Sequence, residues 1–241
     1  MRRETPRRCV WDRKSSLFIS PLFVSFDIAV EDRRASGRGA RGRRVRVDGP
    51  QRIATARLVL EPLAPRHAAG LDRFARLWEV ARFTAHIPHP YPPGCAEAFA
   101  REAVEQRRDG GGWIFAVLGA REAEMVGVAD ITLGADRHAG ELGYAFAPRS
   151  WGRGYATETA RALLRFGFGY LRLDLIEAHA MVENRASCRV LDKAGLRRIG
   201  ERLMPAPARG RDILCEAYRA FWSQHRPAPR AEAVAEAATQ G

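Results

Sequence analysis

The chain has 241 residues, 46% of them apolar and 28% charged, a balance that fits a globular protein with one sizeable core plus appendages and excludes a low-complexity or fibrous chain. Its formal charge of +12 is uneven: residues 1–50 hold 13 Lys and Arg against 6 Asp and Glu (+7), which leaves 27 against 22 (+5) for the other 191 and makes the basic pI a weak argument for nucleic-acid binding. No run approaches the ~20 apolar residues of a membrane helix, and Cys9, Cys95, Cys188 and Cys215 stand far apart with no CxxC pairing, so a reduced, cytoplasmic protein without a metal site is expected.

Residues 1–50 read as a basic, disordered extension. An apolar stretch, SSLFISPLFVSFDIAV, is interrupted by Pro21 and Asp27 and lacks a following small-residue cleavage pattern, so export is disfavoured. The arginine- and glycine-rich run RGARGRR suits contact with RNA or the ribosome, although no aromatic residues are interleaved in it. Folding signals start at Thr55. Leu58 and Leu60 alternate as in a strand, and Pro65 sits where a helix can begin. Ala69, Leu71, Phe74, Leu77 and Trp78 then recur at helical spacing over 66–80. A proline-rich loop at 86–94 carries His86 and His89 with no metal-ligand set around them. A helix from Ala96 to Arg107 stops at Gly110, Gly111 and Gly112. Strands at 113–119 and 124–134, with a third at 141–147, read as an antiparallel meander.

The third strand opens the most informative stretch, ELGYAFAPRSWGRGYA at 141–156. Leu142, Tyr144 and Phe146 alternate with Glu141, Gly143, Ala145 and Ala147, and Pro148 ends the ladder. After the turn the period lengthens to that of a helix over 154–171. Gly152 and Gly154 let backbone N–H groups approach a ligand closely. The helix N-terminus favours negative charge, and Arg149 and Arg153 flank it. The spacing is neither GxxxxGK[ST] nor GxGxxG, so the nucleotide loops with those signatures are disfavoured. A strand at 174–182, with Leu175, Glu177, His179 and Met181 on one face, completes a βαβ unit whose two strands should be parallel neighbours. Asn184 is a helix N-cap, 186–194 continue helically, and Gly195 ends the helix. Strands at 196–204 and 211–220 form a closing hairpin, and 227–241 is a flexible tail.

RLVLEPL, ELGYAFAPRSWGRGYATETARALLRFGF and IEAHAMVENRASCRVLDKAGL occur in the order and spacing of the GNAT superfamily of N-acetyltransferases, and the chain resembles its ribosomal-protein N-terminal acetyltransferase branch over residues 55–222. The resemblance implies an α/β (α+β) fold: a mixed, mostly antiparallel sheet with a central parallel strand pair, flanked by helices. It implies acetyl-CoA as co-substrate, with Trp151, Gly152, Arg153, Gly154, Tyr155 and Ala156 at its pyrophosphate. Phe146 and Ala147 would meet the pantetheine arm, and Asn184 would hydrogen-bond it from the far side. The acceptor would be a primary amine, in the first place a protein N-terminus. The alternatives are a small amine (antibiotic, polyamine or amino acid) and a non-catalytic acetyl-CoA sensor.

For the chemistry, Glu141 or His179 is the expected base, with Glu177 a further candidate, and an N–H near Phe146 or Ala147 the oxyanion donor. Many family members place an acidic tyrosine in the helix after the asparagine. Here that position is Leu191, and Ser187 is the remaining hydroxyl nearby. Tyr91, Phe83 and Trp113 are expected to line an acceptor pocket, and Glu158 and Arg161 to form a local helix pair without chemistry. A monomer or homodimer is expected, with no membrane partner.

Overall fold

The computed structural model describes residues 52–225. The expectations for residues 1–50 and 227–241, and for Cys9, lie outside them. Eight strands form one sheet: β1 (Ile53–Ala54), β2 (Leu58–Pro62), β3 (Gly112–Gly119), β4 (Met125–Leu133), β5 (Ala139–Phe146), β6 (Leu175–Met181), β7 (Arg197–Ala206) and β8 (Arg211–Phe221). Their spatial order is β1-β2-β3-β4-β5-β6-β8-β7, and every neighbouring pair is antiparallel except β5 with β6. This is the mixed sheet with a central parallel pair that the sequence led us to expect.

Helices cover both faces. On one side lie α1 (Ala68–Ala75), the single turn α2 (Trp78–Ala81) and α3 (Cys95–Arg108). Leu71, Phe74, Phe99 and Ala103 pack there against Ile114, Ala116 and Val128 of the sheet. On the other side lie α4 (Tyr155–Phe166) and α5 (Arg185–Ala194), whose Ala160, Leu163, Leu164 and Leu191 pack on Leu58, Phe115, Ile131, Leu142 and Ile176. Because both faces are covered, β3 and β4 are buried along nearly their whole length and read as continuous apolar runs rather than alternating ones.

The helix expected over 66–80 is broken. Leu77 adopts extended geometry (φ −77°, ψ 131°) between α1 and α2. The break turns Val80 and Ala81 into the core and leaves Leu77 and Trp78 exposed by 37% and 49%. The helix after the glycine turn ends its α-helical run at Phe166 and widens into a π turn over Gly167–Leu171. Trp113, expected at an acceptor pocket, is fully buried in the main core, edge-on to Phe166 with ring centroids 5.8 Å apart. Cys188 and Cys215 are buried free thiols.

Candidate active site

The parallel pair is short. Strands β5 and β6 are in register only from Ala139↔Leu175 to Glu141↔Glu177, after which β5 continues on β4 and β6 on β8. The sheet therefore splits beyond Glu141. Ala147 N–H donates to the Val126 carbonyl at 2.9 Å, which fixes the hydrogen-bond alternation along the β4–β5 pair. Gly143, Ala145 and Ala147 direct their backbone groups at β4, whereas Leu142, Tyr144 and Phe146 direct theirs into the split. This corrects the oxyanion expectation: the N–H of Ala147 is already committed, and that of Phe146 faces the opening. The Phe146 carbonyl accepts the Trp151 indole N–H at 2.8 Å.

Past a tight turn at Pro148–Ser150, Gly152 and Gly154 take φ of +73° and +77°, and Gly154 is the N-cap of α4. No side chain caps that helix, so its first-turn N–H groups are left for another acceptor. A Cβ on Gly152 would meet nothing within 4 Å, and one on Gly154 only Arg57 Nη2 at 3.4 Å. An anion can therefore approach both glycines closely.

Arg57 fixes this turn. It donates from Nε to Glu158 Oε2 at 2.8 Å and from Nη1 to the Arg153 carbonyl at 2.9 Å, and its guanidinium stacks on the Tyr155 ring at 4.9 Å. Burial alone would raise the Glu158 pKa, but hydrogen bonds from Thr55 and Arg57 outweigh it and hold the carboxyl below its ordinary range. The local pair expected between Glu158 and Arg161 does not form; Arg161 instead donates to the Lys193 carbonyl at 2.6 Å. Arg149 also departs from expectation, since its guanidinium turns back to Glu124 at 2.6 Å and to the Met125 carbonyl at 3.2 Å. Holding the Arg153 carbonyl fixes the peptide between the two glycines. Arg57→Ala should therefore raise the Michaelis constant for acetyl-CoA about tenfold, the loss of a charge-assisted hydrogen bond, while kcat changes little. Steady-state kinetics would check this.

Two cavities meet at the split. One, of about 390 Å³, runs along the glycine turn and the starts of α4 and α5, past Trp151, Gly152, Gly154, Tyr155, Ala156 and Asn184. The other, of about 210 Å³, lies between the sheet and the α1–α3 side, beneath Phe83, His86 and Tyr91. Tyr144, His179 and Met181 line both. Glu141 and His179, named separately from the sequence, form one pair: Glu141 Oε1 lies 3.0 Å from His179 Nδ1, with side chains 33% and 11% exposed. His179 Nε2 is buried without a hydrogen-bond partner. Glu177 is occupied by Arg219 Nε at 2.6 Å, which removes it as a candidate base. Asn184 accepts the Ser187 N–H at 3.1 Å, the cap read from the sequence, and this leaves its amide nitrogen for other partners. Ser187 Oγ lies 2.8 Å from the Tyr144 hydroxyl.

The family model for the acetyltransferase (GNAT) domain matches residues 57–197, more than half of the chain. The protein belongs to the GNAT acetyltransferase family. Among curated relatives, an uncharacterized N-acetyltransferase of Bacillus subtilis, YnaD, is 43% identical over 63 residues, 26% of this chain and 37% of the relative. The chain spans between a third and a half of the length of the curated relatives it matches. The ribosomal-protein-S5-alanine acetyltransferase of Vibrio fischeri superposes with a TM-score of 0.59 at 16% identity, covering 73% of this chain and 99% of that one. The spermidine N-acetyltransferase of Vibrio cholerae, solved with CoA and spermine, gives 0.60 at 16% identity, covering 71% and 99%. At these identities the structures establish a shared fold.

Within this GNAT fold, two functional candidates escaped the sequence reading. Tyr144 was placed on its strand face but given no role. Its signal was there, because it is the one hydroxyl among the alternating Leu142, Tyr144 and Phe146. Burial pushes its pKa upward, so it stays protonated and able to donate. Asp130 on β4 pairs with Gly143 and is half-buried, its remaining surface opening into the smaller cavity. A Cβ on Gly143 would lie 2.7 Å from Asp130 Oδ1, so any larger residue there would push the carboxyl from this position. Burial, and then the charge of Glu141, push the Asp130 pKa up to about 7. The folded state thus binds this proton more tightly than the unfolded state, where the ordinary value is 3.8. Its contribution to stability is complete below the unfolded value and is lost as pH rises through about 7. Asp130→Asn should remove that dependence. Relative to wild type, the melting temperature of the variant should climb between pH 4 and pH 7, the interval between the two values, as followed by thermal melts across it.

Proposed function

We propose that the protein transfers the acetyl group of acetyl-CoA to a primary amine. The observation that carries the reading is the meeting, at the β5–β6 split, of an uncapped helix N-terminus behind two open glycines with the Glu141–His179 pair. The residues present suit the donor. The pyrophosphate would lie on the amides of Gly152, Arg153, Gly154, Tyr155 and Ala156 beside Trp151, where the helix dipole and the free N–H groups favour an anion. The pantetheine arm would pair with the free edge at Tyr144–Phe146 and reach Asn184, much as an added strand does.

The acceptor enters as an ammonium, since an α-amine with a pKa near ~8 is mostly protonated at neutral pH. The Glu141–His179 pair takes its proton, directly or through water. The nitrogen then attacks the thioester carbonyl. The C–N bond forms, and the N–H of Phe146 faces the oxyanion that develops. As the C–S bond breaks, the Tyr144 hydroxyl, linked to Ser187, supplies a proton to the departing thiolate, and the surplus proton on the new amide nitrogen returns to Tyr144 through water. This role for Tyr144 replaces the missing tyrosine at position 191, where Leu191 is buried in the core.

For the acceptor, a protein N-terminal amine is the first reading, supported by the likeness of ENRASCRVLDKAGL to the ribosomal-protein branch. A small amine is the second, supported by an acceptor cavity of only about 210 Å³ beneath the proline-rich loop. Competition decides between them: N-terminal peptides and free small amines are offered together with labelled acetyl-CoA, and the products are weighed. Acetylated peptides alone would select the first reading and acetylated small amines alone the second. Binding of acetyl-CoA with no transfer to either would favour a sensor and overturn the enzyme reading. A cytoplasmic location fits this chemistry, and among the described residues no helix is long and apolar enough to cross a membrane. Ribosome contact would fall to the basic extension, outside the described residues.

A further inference from the structure

Two carboxyl groups, Asp130 and Glu141, line the smaller cavity, one more than the proposed transfer uses. Glu141 is joined to His179, but the only hydrogen bond to the Asp130 carboxyl among the described residues is from the Thr132 hydroxyl, at a long 3.4 Å. No lysine or arginine lines this cavity among the described residues; the titratable groups that line it with Asp130 are His86, Tyr91, Glu141, Tyr144, His179 and Cys215. A half-buried carboxylate in such surroundings is costly, and either a proton or a cation beside it relieves that cost. The neighbouring His179 Nε2, wholly buried and unpartnered, is a second polar atom in these walls with nothing from the chain to bond. The walls are completed by aromatic groups, Phe83, Tyr91 and Tyr144, whose ring faces favour organic cations.

The strand register sets the spacing of the two carboxyls. Asp130 is opposite Gly143 and Thr132 is opposite Glu141, so Asp130 and Glu141 project from the same sheet face, one two-residue step apart. Such diagonal neighbours on adjacent strands stand about 7–8 Å apart. Resting on the small-amine reading above, we infer that Asp130 is a specificity-determining residue that holds a second positive centre of the acceptor, making the favoured acceptor among small amines a short linear diamine with one end at Glu141–His179 and the other at Asp130. A four-carbon chain separates two ammonium groups by a comparable distance. Gly143 serves the same arrangement by leaving the carboxyl its space.

The test compares 1,4-diaminobutane with 1-aminopentane, which have the same length and differ by one charge. Each is titrated calorimetrically into the full chain with CoA present, so the readout does not depend on turnover. The expected result is at least about tenfold tighter binding of the diamine, the scale of one charge-assisted hydrogen bond. In Asp130→Asn that ratio should fall below about threefold, on the same scale. Gly143→Ala, which crowds the carboxyl without removing its charge, should lower the ratio in the same direction and supplies the test should the asparagine variant not fold. Equal affinity of the wild type for the two amines, or an undiminished ratio in a folded Asp130→Asn variant, would overturn the inference. A high wild-type ratio that falls in the variants would uphold it even if no amine were acetylated, an outcome that would count against the enzyme reading instead.

Discussion

Replacing Gly154 by glutamate is expected to weaken CoA binding at least ~100-fold while leaving a folded protein. Two effects combine at this position. Gly154 has φ of +77°, where an L side chain costs about 1–2 kcal/mol. In a domain of this size that amounts to a fall of a few degrees in melting temperature, about 2–4 °C per kcal/mol. The larger effect is on the ligand. The new side chain would leave the turn beside Arg57 Nη2, 3.4 Å from its Cβ, and bring a carboxylate to the α4 N-terminus, competing with the pyrophosphate for the same amides and repelling it. Gly154→Asn separates the two effects, because asparagine tolerates the left-handed conformation and adds no charge. Its affinity loss should stay under about tenfold. Calorimetric titration with CoA, alongside thermal melts, measures both. Unchanged affinity in the glutamate variant would remove the glycine turn from the donor site.

The second large effect concerns the acceptor side. His179→Ala and Glu141→Gln should each lower kcat by about 10²–10⁴-fold, the range for loss of a positioned acid–base group, with the Michaelis constant for acetyl-CoA within a few-fold of wild type. Because the two side chains are one hydrogen-bonded unit at 3.0 Å, the double variant should be little slower than the worse single one. Wild-type turnover in both single variants would assign the proton transfer elsewhere. Multiplicative losses would mean that the two groups act independently.

Seven of the eight strands were legible because each carried a local signal; the two-residue β1 was not. Period-two alternation marked β5, the glycine turn and the change of period marked the start of α4, and Asn184 and Gly195 marked the two ends of α5. Glu141 and His179 could be named singly from their strands. Their pairing followed from the parallel register, which only tertiary structure supplies: Glu141 lies opposite Glu177, and His179 is two residues further along β6. Arg57 was hidden for the same reason. It sits 101 residues from Glu158 in sequence and reaches it because β2 begins beside the start of α4. The local reading gave Glu158 to Arg161 by helical spacing, but a partner outside the helix with several donors to one carboxylate wins over an exposed helix pair worth a few tenths of a kcal/mol. Asp130 was unreadable as a site residue, because in the sequence it interrupts an apolar strand, and only the space above Gly143 shows why the interruption is tolerated.

The most direct test of the central claim is amine-dependent release of CoA thiol from acetyl-CoA by the full chain, with the acylated product identified by mass spectrometry. The proposed function predicts thiol release that rises with amine concentration to saturation, one N-acetylated amine for each thiol released, and loss of both in His179→Ala. Thiol release that is independent of every primary amine offered, with CoA nevertheless bound, would contradict it.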